Sequence, residues 1–172
     1  MSEVEEGPPV CFACEFERRG FPCRNAQGKY QMDSVALALR DYYRLGDDPE
    51  GKTCMTEHGN APWAHECVAE LILESPQLAL DFILRALPVF ETKEDLAVLA
   101  AGPLEDLLDQ HCASIIDRIE AEAARNERFR LLLSGVWGRN NVGTEAWRRL
   151  RRALREGPWL DRDPRTPQGS ED

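Results

Sequence analysis

Apolar residues recur at helical spacing along most of the chain, three or four positions apart, with polar residues between them. Val35, Leu39, Tyr42 and Tyr43 form one such stripe. From Trp63 onward the stripes follow one another closely. The first holds Trp63, Cys67, Val68, Leu71 and Ile72; the second holds Leu78, Phe82, Ile83 and Leu87. Leu80 and Leu84 widen the second face, which predicts a central helix buried on more than one side. Leu104, Leu107 and Leu108 continue the pattern, then Ile115, Ile116, Ile119 and Ala123, then Phe129, Leu132 and Leu133.

Caps and breakers divide this pattern. Asp33 or Ser34 caps a helix over 33–45, and Gly46 ends it. Ser75-Pro76 restarts a helix that Pro88 stops, and Thr92 with Asp95 has capping-box form. Gly102-Pro103 opens a helix, since proline suits a first turn whose N–H would be unpaired anyway. Glu105 and Asp106 then fall where the dipole favours carboxylates. Ser114 with Asp117 resembles another capping box, and Asn126 can cap a shorter helix. Gly135 and Gly138 bracket Val136-Trp137, and Thr144 caps a last helix that stops at Gly157-Pro158. The fold class predicted is all-α: a short stack of antiparallel helices, HEAT-like by analogy, with an irregular Cys-containing N-terminal lobe. The expected division is a lobe with one helix over 1–60, a helical domain over 61–160 and a disordered tail over 161–172.

Three phrases are distinctive: Ala101-Gly-Pro-Leu-Glu-Asp-Leu-Leu108, then Ile119-Glu-Ala-Glu-Ala123, then Phe129-Arg-Leu-Leu-Leu-Ser-Gly-Val-Trp-Gly138. Together they resemble an uncharacterised bacterial helical domain of unknown function, over roughly Trp63 to Trp147. The resemblance implies a helical fold and a bacterial or phage-related origin, and no activity. Members usually carry glycine where this chain has Cys112, which implies a smoother junction after His111.

The chain has 172 residues and a formal net charge of −10, from 31 acidic and 21 basic side chains. Such an excess disfavours nucleic acid, whose phosphates need a basic face, and suits a basic protein partner. No apolar run approaches the roughly 20 residues that cross a bilayer. The N-terminus is acidic, unlike a signal peptide, so a cytoplasmic protein with no membrane contact is expected.

Zinc is the possible cofactor. Cys11 and Cys14 can share one ion, with Cys23, Cys54 and His58 as further ligands, although the spacing matches no standard finger. The alternative is reduced thiols packed among Phe12, Phe16 and Phe21. His65 and Cys67 point to different helix faces, and His111 suits a helix C-terminus. The carboxylates between Glu105 and Glu122 read mainly as a solvated face, with Glu120 placed to reach Arg130. The arginines of 148–155 read as partners for the chain's own acids more than as a nucleic-acid surface.

No catalytic set assembles along the sequence. The leading expectation is therefore a protein-binding module, most concretely an immunity or inhibitor protein acting by stoichiometric binding. Its expected partner-binding residues are Glu105, Asp106 and Trp137. The alternatives are a zinc-containing regulatory or nucleic-acid-associated module, and an enzyme whose Cys/His or carboxylate site forms only in the fold.

Overall fold

The computed structural model describes residues 23, 24, 27, 29–46, 62–138, 142–154 and 157–160. Helix α1 is Met32–Gly46, α2 is Pro62–Glu74 and α3 is Pro76–Ala86. Helix α4, Lys93–Leu99, runs into a π-helical turn at Ala100–Leu104 and so into α5, Glu105–Arg125. Helices α6, Glu127–Ser134, and α7, Glu145–Ala153, follow. The described residues are thus mainly α-helical, with one isolated antiparallel bridge between Arg24 and Tyr30.

Several boundaries follow from local chemistry. Pro76 opens α3 at its first turn, after Ser75. The Thr92–Asp95 capping box forms in both directions: Asp95 N–H donates to Thr92 Oγ1, and Thr92 N–H donates to Asp95 Oδ2. Asn126 Oδ1 accepts from Phe129 N–H at 3.1 Å, and Thr144 Oγ1 accepts from Trp147 N–H at 3.1 Å.

The stretch 99–125 departs from expectation. Gly102-Pro103 does not begin a helix; both residues lie within the π turn of a continuous helical run. Pro103 has no N–H to offer the preceding turn, and the wider turn accommodates its ring. Glu105 N–H closes that turn by donating to Ala100 O. Helix α5 also runs straight through Ser114, where a new start was expected. Ser114 Oγ donates back to His111 O at 2.8 Å instead of capping. Burial explains the continuity: Leu107, Leu108, Cys112, Ile115, Ile116, Ile119 and Ala123 keep one apolar face in the core.

Helix α5 packs against α2, α3, α6, α7 and the π turn, while α1 lies against α2, α3 and α4. Phe82, Phe90, Phe129, Leu71, Leu80 and Ile119 are fully buried. One core cluster extends from Cys23 and Tyr30 through all these helices to Leu160, and so runs across the expected boundary at residue 60. The expected tail, 161–172, lies outside the described residues. No described helix is long and apolar enough to cross a membrane.

Candidate interaction site

The continuous helix carries the start of α5 to the end of α6. There Glu105 is 4% exposed, so it is not the surface anchor expected from sequence. Its Oε1 accepts from Trp137 N–H at 3.3 Å and from Gly138 N–H at 3.2 Å. The carboxylate faces inward because these two N–H groups need an acceptor where water is excluded. Trp137 is fixed at its backbone and 77% exposed at its indole. Gly138 has φ +86°, and a Cβ there would lie 2.4 Å from the Trp147 ring. Glycine is required on both counts, for the left-handed backbone and for the close approach of the indole. The two motifs that stood far apart in sequence therefore meet, and together they present one tryptophan to solvent.

Trp147 belongs to α7, the arginine helix. Arg149 Nε donates to Glu120 Oε1 at 3.0 Å, and its Nη2 donates to Asp117 Oδ1 at 2.6 Å. Hydrogen bonds from Arg149 hold the Glu120 carboxyl below its usual range. Glu120 thus pairs with Arg149 and not with Arg130, which donates to Ala123 O at 2.7 Å. The reason is register: the side of α5 that carries Glu120 faces α7. Arg148 and Arg152 share Glu145, each at 3.0 Å. Arg151 instead lies over the Trp159 ring, 5.9 Å from its centroid. Trp147, Arg148, Arg151 and Arg152 line an open depression of about 290 Å³.

A second polar cluster flanks the π turn. The Tyr43 hydroxyl is 3.2 Å from His65 Nδ1, and Tyr42 stacks on the His65 ring with centroids 5.7 Å apart. Gly102 admits the Tyr43 ring: a Cβ there would stand 3.2 Å from the hydroxyl. Burial, with the negative charge of half-buried Asp106 next, raises the Tyr43 phenol far above its ordinary value. Nearby, Arg44 clamps Asp95 through two bonds of 2.9 and 2.7 Å. Those bonds hold the Asp95 carboxyl at about 2.

Of the proposed zinc ligands, Cys11, Cys14, Cys54 and His58 lie outside the described residues. Cys23 is buried, and its carbonyl accepts from Gln31 N–H at 2.7 Å. Among the described residues no cluster of metal-ligating side chains forms. His111 lies in the interior of α5, not at a C-terminus, and its Nε2 is buried with no hydrogen-bond partner. Cys112 beside it is buried, which raises its thiol.

The arrangement defines an all-α protein with a backbone-anchored tryptophan beside an arginine-lined depression. The chain belongs to DUF6869, a family of unknown function, and the match covers residues 52–157. The resemblance read over 63–147 lies inside that span. No curated protein and no solved structure matches the chain.

Proposed function

We propose that this chain is a protein-binding module, in its most concrete form an immunity or inhibitor protein that acts by stoichiometric binding. One observation carries the reading: Trp137 is 77% exposed while its backbone is tied down by a buried carboxylate. Tryptophan is the side chain most often found as an energetic anchor of an interface, and a fixed backbone reduces the ordering cost of binding. Exposure of a large indole is otherwise unfavourable in a soluble domain, because it leaves apolar area in water that burial would remove. Val142, five positions further along the chain, is exposed as well.

Photo-crosslinking tests this. With benzoylphenylalanine at position 137, the full chain in its native host should crosslink to one discrete protein in a one-to-one adduct. The same group at Leu73, an exposed apolar position on α2, serves as the control. Equal adducts from both positions, or none from 137, would contradict the proposal.

A further inference from the structure

We infer that the surface beside Trp137 accepts an acidic protein segment, not the basic partner that the chain's overall charge suggests. This rests on Trp137 being the anchor. The six-membered ring of Trp147 covers Gly138, the residue that follows Trp137, so the backbone that carries the exposed indole adjoins a side chain that lines the arginine depression. The acidic anchor expected next to Trp137 is missing there, because Glu105 is turned into the core. What borders Trp147 is Arg148, Arg151 and Arg152.

Local charge decides the partner's sign. Arg148 and Arg152 divide a single carboxylate, Glu145, between them. Arg151 has no carboxylate partner among the described residues and lies over Trp159. Arg149, whose charge is met by Glu120 and Asp117, turns away from the depression. Among the described residues, three guanidiniums thus face one carboxylate at this depression, a basic island on a chain of net charge −10. Guanidinium groups pair with carboxylates through two parallel hydrogen bonds, and the indoles of Trp137 and Trp147 offer apolar contact alongside. A segment carrying Asp or Glu next to an apolar side chain matches both. The acidic remainder of the chain repels a long polyanion and so disfavours nucleic acid, whereas a short acidic segment need only reach the island.

The test is fluorescence anisotropy with the full chain and a short labelled peptide alternating glutamate and leucine. Parallel titrations use the glutamine and lysine versions of that peptide and a labelled oligothymidylate. The glutamate peptide should bind saturably and about tenfold or more tightly than the glutamine version. Arg151→Glu and Arg148→Glu should each weaken it about tenfold, and Trp137→Ala should weaken it as well. Thermal melts of each variant show whether the fold is intact, and Arg148→Glu covers any loss of the Trp159 contact in Arg151→Glu. Preference for the lysine peptide, tighter binding of oligothymidylate, or indifference to both arginine reversals would overturn the inference. The two readings fail separately. A basic protein crosslinked at 137 would remove only the acidic segment, whereas no adduct at 137 would remove the binding module itself.

Discussion

The carboxylate of Glu105 accepts from two backbone N–H groups, and truncating it removes that acceptor from a buried position. An unmet buried donor costs about 1–3 kcal/mol, so Glu105→Ala should destabilise the chain by that order. It should also speed amide exchange at Trp137 and Gly138. Glu105→Gln keeps a carbonyl acceptor and should do less of both. Unchanged exchange at 137 and 138 in the alanine variant would show that other contacts hold this backbone. Asp95 gives a pH-dependent counterpart. Its carboxyl titrates at about 2 in the fold, against 3.8 for the free group. A depressed value means stability that is complete above the free value and lost as pH falls through the folded one. At pH 7 this is on the order of 2 kcal/mol. Asp95→Asn should therefore melt below the parent at neutral pH, and the gap should narrow toward about pH 2. A gap of constant size across an acid titration would contradict the assignment. The sequence showed Asp95 as half of a capping box but not its Arg44 partner, which lies on another helix. Glu105 was read from its place in a presumed first turn. Its acceptor role depends on residues 32 and 33 positions away, which no local pattern displays.

The apolar stripes locate the helices because each stripe reports a face that water leaves. Phe82 on α3 and Ile119 on α5 were read as core, and both are fully buried. Phe82→Ala should cost about 3–5 kcal/mol and Ile119→Ala about 2–5, read as a fall in denaturation midpoint at constant slope. A parent-like midpoint for either would place the core elsewhere. Local capping was legible at Thr92, Asn126 and Thr144, where the side chain satisfies an N–H within its own turn. It misled at Gly102-Pro103 and at Ser114 for one physical reason. A cap motif describes how a helix could start, whereas the buried face of α5 gains more by continuing. Cys112 is buried within that face and, where a glycine would weaken the helix, favours its continuity.

At the scale of the whole molecule, net charge proved a poor guide to any one surface. The arginines of α7 largely meet the chain's own acids, as their sequence context suggested, yet the remainder collects around Trp147. The helix-rich architecture was legible because periodicity is local. The proposed interaction surface was only partly so: Trp137 stood out between two glycines, but its neighbours come from α5 and α7 and are assembled by the fold. The central claim is that Trp137 anchors a protein partner. Calorimetric titration of the crosslinked partner, once identified, against the parent and Trp137→Ala chains tests it most directly. The account predicts one partner per chain for the parent. It predicts an affinity loss of about 2 kcal/mol or more in the variant, with an unchanged melting temperature. Equal affinity for the two chains would contradict it.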